Sequence, residues 1–199
     1  MKIGILISGR GSNMVAIVEG VQSGAIPDSE VTVVISDKAD AAGLEKATAR
    51  GIETIVIEKN GRKRVEHDAE IIAELKKRNV ELVCLAGYMR LLSRDFVRAF
   101  PNKILNIHPS LLPNFRGLEA QKQAIEAGAK ISGCTVHFVD EELDHGEIIL
   151  QKEVEISDDE TAESLAAKIL PHEHALYVEA LAKIVQKNYK IAGQKSGLR

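Results

Sequence analysis

This chain of 199 residues has few cysteines, no excess of basic charge and no long apolar run. Its two cysteines, Cys84 and Cys134, lie far apart in apolar stretches, a pattern typical of buried reduced thiols rather than of a disulfide framework. No Cys/His cluster has the spacing of metal ligands. The formal net charge is −3 and the basic residues are scattered. Nothing in the composition therefore favours a nucleic-acid partner.

No segment approaches the ~20 apolar residues that a membrane-spanning helix needs. The first apolar run, 3–7, is too short for a signal sequence and leads directly into a glycine-rich turn. The hydrophobic content of 45% and the charged content of 28% are ordinary for a globular protein. The length suits one well-buried domain. We therefore expect a cytoplasmic protein that has no membrane partner.

Short apolar runs alternate with helical periodicity along most of the chain. The predicted strands are 3–7, 31–35, 54–57, 80–86 and 104–107, and the predicted helices are 12–22, 41–50, 64–78, 94–100 and 121–127. This alternation predicts an α/β fold with a doubly wound, mostly parallel, Rossmann-like sheet that has helices on both faces. Segments 135–139 and 148–154 predict further strands, joined by an acidic loop, which add antiparallel pairing in the C-terminal half. A last helix over 161–185 contains Pro171, which should kink it.

A glycine-rich segment, Ser8-Gly9-Arg10-Gly11-Ser12-Asn13, links the first strand to the first helix. Free backbone N–H groups and the positive end of a helix dipole favour a phosphate at such a position. The segment is not a dinucleotide fingerprint, because Met14 stands where the third glycine would be, and it lacks the Gly-Lys-Ser/Thr of a Walker loop. The alternative is a tight turn in which Ser12 caps the helix.

Asn106 and His108 end an apolar run and are followed by Pro109-Ser110-Leu111-Leu112-Pro113. Residues i and i+2 of a strand point to the same side, so the amide and the imidazole should face one spot. Ligands of α/β sheets bind at the carboxyl ends of strands, where this pair lies. The pair suggests a site where charge develops on an oxygen. A hydrogen-bonded structural histidine is the alternative.

An acidic loop follows the strand that carries His137, and in it Asp144 precedes a His-Gly turn. A carboxylate near His108 would orient its ring and stabilise its imidazolium form. Most acidic loops are simply solvated, which is the alternative for this one. We interpret His137 as a structural residue of the sheet.

The chain resembles the family of folate-dependent glycinamide ribonucleotide transformylases. The matching segments are 8–13, Leu85-Ala86-Gly87-Tyr88-Met89-Arg90-Leu91-Leu92, 106–113, Val136-His137-Phe138-Val139 with Leu143-Asp144-His145-Gly146, and Glu173-His174. No single segment is decisive, but five in this order and spacing are specific. The resemblance implies transfer of a formyl group from 10-formyltetrahydrofolate, as co-substrate, to the amine of glycinamide ribonucleotide in purine biosynthesis, without a metal.

The resemblance also assigns residues by position. It gives catalysis to Asn106, His108 and Asp144. It gives the binding of the substrate phosphate and nucleotide to Gly11, Ser12, Asn13, Leu170, Pro171, His172 and Glu173. It gives folate binding to Arg64, Met89, Arg90, Leu91, Leu92, Asn106, Val139, Asp140, Glu141, Glu142, Leu143 and Asp144. In this scheme Asn106 donates to the oxyanion, His108 acts as general acid, and Asp144 holds His108.

Three positions depart from the family pattern. Family members usually carry Phe-Pro-Gly after the second proline, often with a histidine two residues later, whereas this chain has Arg116 and Glu119 there. At Leu170 some members have a polar residue. These departures concern the loop at 111–131 and the far end of the nucleotide site.

The sequence leaves other functions open. A formyltetrahydrofolate hydrolase would release formate without an amine acceptor, and a methionyl-tRNA formyltransferase should carry a further C-terminal domain and a basic surface. A nucleotide-binding module without catalysis needs the glycine-rich loop but not Asn106, His108 and Asp144 together. A dehydrogenase is disfavoured by the glycine pattern.

We expect a single domain over 1–187, with a nucleotide-binding half over 1–100 and a folate-binding and catalytic half over 101–187. A polar tail over 188–199 should follow. The resemblance leaves the oligomeric state open, with a homodimer as one option.

Overall fold

The structure, a computed structural model, describes residues 1–186. Its strands are β1 (Lys2–Ile7), β2 (Glu30–Ser36), β3 (Thr54–Val56), β4 (Leu82–Leu85), β5 (Ile104–His108), β6 (Ile131–Phe138) and β7 (Ile148–Glu155). Its helices are α1 (Ser12–Gln22), α2 (Ala42–Thr48), α3 (Arg64–Lys77), α4 (Arg94–Ala99), α5 (Ala120–Glu126) and α6 (Ala162–Val185). Every predicted helix and strand is present, with ends that differ by a few residues. The predicted tail over 188–199 lies outside the described residues.

All seven strands form one sheet in the order β3-β2-β1-β4-β5-β6-β7. Strands β1 to β5 pair in parallel, whereas β6 pairs antiparallel with both β5 and β7. The predicted fold class is therefore confirmed: the sheet is mostly parallel and its antiparallel strands lie at the C-terminal end. The division into halves at residue 100 stays a prediction.

Strand β6 starts four residues earlier than the sequence predicts. Gly133 lies in this extension and pairs with Glu153 of β7. A Cβ atom at Gly133 would stand only 1.9 Å from the carbonyl oxygen of Lys152. The glycine, which usually weakens a strand prediction, is here what lets the two strands approach.

Two apolar layers cover the sheet, one on each face. Alternate residues of β1 face opposite layers, since Ile5 packs in the layer that holds Tyr177 of α6, and Leu6 packs in the layer that holds Ile71 of α3. Gly4 lies against α3, where a Cβ atom would come within 2.6 Å of Leu75 Cδ2. Helix packing on both faces leaves the carboxyl ends of the central strands as the open edge of the sheet.

Tyr177 of α6 ties two central strands together beneath that edge. Its fully buried hydroxyl lies 3.2 Å from the carbonyl oxygen of Leu85 in β4 and 3.1 Å from that of Leu105 in β5. Helix α6 runs without a break through Pro171, and the predicted kink there stays a prediction. No helix within residues 1–186 is long and apolar enough to cross a membrane.

Candidate active site

Asn106 of β5 and His137 of β6 are directly paired across the antiparallel junction. The Nδ1 of His137 lies 2.8 Å from the carbonyl oxygen of Phe138, so Nδ1 carries the hydrogen and Nε2 is left as an acceptor. The Asn106 amide nitrogen lies 3.2 Å from that Nε2 and donates to it. Burial lowers the pKa of His137, which favours the neutral ring that this contact requires. His137 thus orients the Asn106 amide.

His108, two residues farther along β5, is buried and has an acceptor at each ring nitrogen. Its Nδ1 lies 3.4 Å from Oδ2 of Asp144, and its Nε2 lies 2.9 Å from the carbonyl oxygen of Phe115. Two acceptors suit an imidazolium, which donates from both nitrogens. Oδ1 of Asp144 is also 3.8 Å from Nε2 of His137. Asn106, His108, His137 and Asp144 therefore form one connected group, the transfer cluster.

The position of Asp144 is fixed by its backbone and by a loop contact. Its φ is 47°, a left-handed conformation that aspartate tolerates better than most residues. Oδ2 of Asp144 accepts a hydrogen bond of 2.9 Å from the Gly117 N–H. Two residues on, Gly146 lies so close to the backbone of Phe138 that a Cβ atom would stand 1.9 Å from its carbonyl oxygen. The turn after Asp144 therefore requires glycine at this position.

The loop after His108 is held by the buried Thr135 of β6. Its hydroxyl donates to the carbonyl oxygen of Ser110 at 2.6 Å and accepts from the Leu112 N–H at 3.1 Å. The Gln151 amide of β7 donates to the same hydroxyl and to the Leu112 carbonyl, both at 2.9 Å. The two antiparallel strands thus position the chain that leaves β5.

The glycine-rich loop presents the start of α1 at the same edge of the sheet. Gly11 is the N-cap residue with a φ of 68°, and among the described residues no side chain caps this helix. The alternative role of Ser12 as a cap is therefore not realised. A Cβ atom at Gly11 would come within 2.7 Å of the Gly43 Cα, so the loop needs glycine there. The uncapped N–H groups of the first turn remain available to an anion.

Asn13 and Glu173 meet where the glycine-rich loop faces α6. The Asn13 amide donates to Oε2 of Glu173 at 2.7 Å, and both side chains are buried. Burial raises the pKa of Glu173, while the Asn13 hydrogen bond opposes that shift. Oδ1 of Asn13 is buried and has no hydrogen-bond partner in the described structure. The Asn13 oxygen lacks a donor and lies beside the Glu173 carboxylate. This arrangement suits a ligand with hydroxyl groups, because a hydroxyl can donate a hydrogen bond to either group.

The segment from Met89 to Leu92 follows β4 and borders the glycine-rich loop. The Met89 N–H donates to the Ser8 hydroxyl at 2.9 Å. The Arg90 guanidinium instead lies 3.6 Å from the largely buried Asp37 carboxylate. The Met89 and Leu91 side chains are 65% and 52% exposed, which leaves an apolar wall open for a ligand.

The acidic loop before Asp144 directs two of its carboxylates away from the transfer cluster. Asp140 lies 2.8 Å from Nδ1 of His145, and this hydrogen bond raises the pKa of His145. Glu141 forms exposed ion pairs with Arg94 at 3.2 Å and Arg98 at 3.1 Å. The first contact closes the loop on itself, and the second connects it to α4.

Polar contacts join some of the predicted site residues to one another: Asn106, His108 and Asp144 through the transfer cluster, and Asn13 with Glu173. Arg64 and Leu170, Pro171 and His172 form no hydrogen bond or ion pair with the other predicted site residues among residues 1–186. His137, interpreted from the sequence as a structural residue of the sheet, accepts a hydrogen bond from Asn106 and lies 3.8 Å from Asp144. The residue that faces a given strand residue depends on the register of strand pairing. The Asn106–His137 contact could have been predicted only if the antiparallel register of β5 and β6 had been known.

Comparisons with known proteins agree with this geometry. The sequence profile of the formyl transferase family matches residues 1–181. The trifunctional purine biosynthetic protein adenosine-3 of Drosophila melanogaster is 45% identical over 98% of this chain, which spans only 15% of that protein. The phosphoribosylglycinamide formyltransferase of Haemophilus influenzae is 44% identical over 88% of this chain and 83% of its own. The crystal structure of glycinamide ribonucleotide transformylase 1 from Symbiobacterium toebii has a TM-score of 0.94 and 48% identity, covering 97% of this chain and 91% of that one.

The family match thus spans both the sheet, which turns antiparallel after β5, and the cluster formed by Asn106, His108 and Asp144. The chain belongs to the formyl transferase family, and the relatives that it matches over most of their own length are named phosphoribosylglycinamide formyltransferases.

Proposed function

We propose that the protein transfers the formyl group of 10-formyltetrahydrofolate to the amine of glycinamide ribonucleotide, yielding formylglycinamide ribonucleotide and tetrahydrofolate in purine biosynthesis. The observation that carries this proposal is the transfer cluster, in which an amide and an imidazole each have an orienting partner. The names of the relatives supply the substrate.

The nucleotide end of the site comprises the segment 11–13 and Glu173. We assign the substrate phosphate to the N–H groups at the start of α1. Asn13 and Glu173, joined at 2.7 Å, would receive the ribose hydroxyls. Leu170, Pro171 and His172 directly precede Glu173 on α6 and would border this end.

The folate would lie against the exposed wall from Met89 to Leu92. The loop from Val139 to Asp144 would cover its ring system, and Arg64 would meet its glutamate end. The exposed side chain of Leu143, together with Met89 and Leu91, offers apolar contact to a flat ring. This arrangement leaves the formyl group next to β5.

At the transfer cluster, the substrate amine attacks the formyl carbon and the formyl oxygen becomes an oxyanion. The Asn106 amide has two N–H groups, and the one that does not bind His137 donates to this oxygen. The Nε2–H of His108 turns from the Phe115 carbonyl to the same oxygen, while Asp144 stabilises the imidazolium. The intermediate collapses as the bond between the formyl carbon and N10 breaks: the attacking amine loses a proton, N10 gains one, and the oxyanion returns to a formyl C=O as tetrahydrofolate leaves.

The direct test is a spectroscopic assay with glycinamide ribonucleotide and 10-formyltetrahydrofolate, with the amine omitted as a control. We expect folate conversion only when both substrates are present. A formyltetrahydrofolate hydrolase would instead release formate in the control, and that result would overturn the transferase proposal. No nucleic acid is needed in this scheme, and a homodimer stays a prediction for which sedimentation is the measurement.

A further inference from the structure

The segment from Met89 to Leu92, called the folate wall below, contacts the residues that follow two other strands. Strands β4, β1 and β2 are adjacent and parallel, so their carboxyl ends share one edge of the sheet. The wall follows β4. Its Met89 N–H donates to the hydroxyl of Ser8, just after β1, and its Arg90 guanidinium lies 3.6 Å from the carboxylate of Asp37, just after β2. Consecutive residues of the wall are thus tied to successive strands of the sheet.

The far end of the wall is held by α3. The N–H of Ser93, the residue after the wall, donates to Oδ2 of the buried Asp68 at 2.6 Å. Leu92 packs against the apolar layer on the α3 face of the sheet. Between these contacts and Met89, the ion pair of Arg90 with Asp37 is the one hydrogen bond or ion pair of residues 90–92 within residues 1–186. The middle of the wall therefore depends on this pair.

Asp37 is a charged residue in a largely buried place. Its side chain is 4% exposed, whereas that of Arg90 is 28% exposed. Oδ1 of Asp37 and the hydroxyl of Tyr88 are both buried without a hydrogen-bond partner among the described residues. Burial raises the pKa of Tyr88, the Asp37 charge raises it further, and the Arg90 charge opposes the shift. Asp37 and Tyr88 thus lie behind the wall, where Arg90 offsets the buried carboxylate charge.

We propose that Asp37 is a positioning residue for the folate: it holds the Arg90 guanidinium behind the wall and so keeps Met89 and Leu91 on the exposed side for contact with the folate. The inference rests on the proposed function, which places the folate against this wall. If the Asp37 charge were lost, the partly exposed Arg90 could turn to water and the wall would become less ordered. A wall that the ligand must first order binds more weakly, because ordering costs conformational entropy.

The first experiment needs no substrate. In the ligand-free protein, hydrogen–deuterium exchange of a peptide that covers residues 89–92 measures the order of the wall. Asp37→Asn keeps the size of the side chain and removes its charge, so exchange in this peptide should become roughly 5-fold faster or more, whereas exchange in β4 should stay the same. Unchanged exchange in the wall would overturn the proposal. Faster exchange in β4 as well would show a general loss of stability and would also count against it.

The second experiment is steady-state kinetics. In Asp37→Asn, KM for 10-formyltetrahydrofolate should rise roughly 3- to 10-fold, a loss between those usual for exposed and for buried charge pairs, with kcat and KM for glycinamide ribonucleotide nearly unchanged. Arg90→Gln should raise the same KM, and the double variant should be no worse than either single one, because both changes remove one pair. Fully additive effects would contradict the pairing.

Glu53→Gln is the matched control. It removes the acid of another carboxylate–arginine pair, in which Oε2 of Glu53 lies 2.9 Å from Nε of Arg78 at the opposite end of α3 from Asp68. Both KM values and the exchange of the wall should stay those of the unaltered protein. If no folate is turned over, the proposed function fails instead, and the exchange measurement on the ligand-free protein still decides whether Asp37 orders the wall.

Discussion

At the nucleotide end of the site, one continuous segment, 11–13, offers backbone groups for the proposed phosphate, and the buried Asn13–Glu173 hydrogen bond joins it to α6. At the transfer cluster, four side chains come from β5, β6 and the acidic loop, and each one contacts another of the four. The first end depends on the local conformation of a few consecutive residues. The second depends on the pairing of strands that are distant in sequence. The two ends should therefore fail in different ways when they are altered.

His108→Ala should have the largest effect, because it removes from the transfer cluster the ring whose Nε2–H is proposed to donate to the oxyanion. We expect kcat to fall on the order of 10²-fold or more, as when a donor to an oxyanion is removed, with KM for the nucleotide nearly unchanged. Steady-state kinetics measure this change. His145→Ala, on the same side of the site but outside the cluster, is the control and should lose little. A variant that kept full formyl transfer would contradict the mechanism.

Glu173→Gln should act on the nucleotide end alone. Loss of a charged hydrogen-bond partner costs about 1.5–3 kcal/mol, so KM for glycinamide ribonucleotide should rise roughly 10-fold or more. Asn13→Ala, which removes the donor to Glu173, should raise the same KM, and the double variant should be less impaired than the sum of the two. A fall in kcat at unchanged KM would instead place Glu173 with the transfer cluster.

Asp144→Asn tests how far the transfer cluster depends on charge. The amide keeps the shape of the carboxylate but cannot stabilise an imidazolium, so kcat should fall about 10-fold, the cost of a weakened charged contact. Folate binding, measured by fluorescence quenching, should be kept. Unchanged turnover would remove Asp144 from the proposed catalytic set.

The smallest expected effect concerns two histidines, His137 before Asp144 in the sequence and His145 after it. Their pKa values are shifted in opposite directions. Burial lowers the pKa of His137 below its ordinary value of 6.5, and the Asp140 hydrogen bond raises that of His145 above it. As the pH falls, His145 should gain its proton first, and His137 should stay neutral through 6.5. Titration of the ring signals by nuclear magnetic resonance measures both. Asp140→Asn should return His145 towards 6.5 and leave the pKa of His137 low; a His137 midpoint above 6.5 would contradict the neutral ring.

The same contrast explains what could be predicted from the sequence. The glycine-rich loop and the Asn106–His108 pair are contiguous, so local patterns and resemblance indicate them, and the alternation of elements predicts the sheet. The contact of His137 with Asn106 depends on the antiparallel register of β5 and β6. The turn of Arg90 towards Asp37 likewise depends on packing between separate loops. Both are tertiary contacts that no local pattern encodes.

Strand β5 has a parallel neighbour on one side and an antiparallel neighbour on the other. A short loop joins β6 to β7, whereas the connection from β4 to β5 is longer and contains helix α4. Local pairs usually form sooner than pairs with a longer connection. During refolding, the β6–β7 pair should therefore form before β5 joins the sheet. The Asn106–His137 hydrogen bond should form only when β5 pairs with β6. Enzymatic activity would then return later than the signal of β-structure, which makes activity a reporter of the last step in assembly of the sheet.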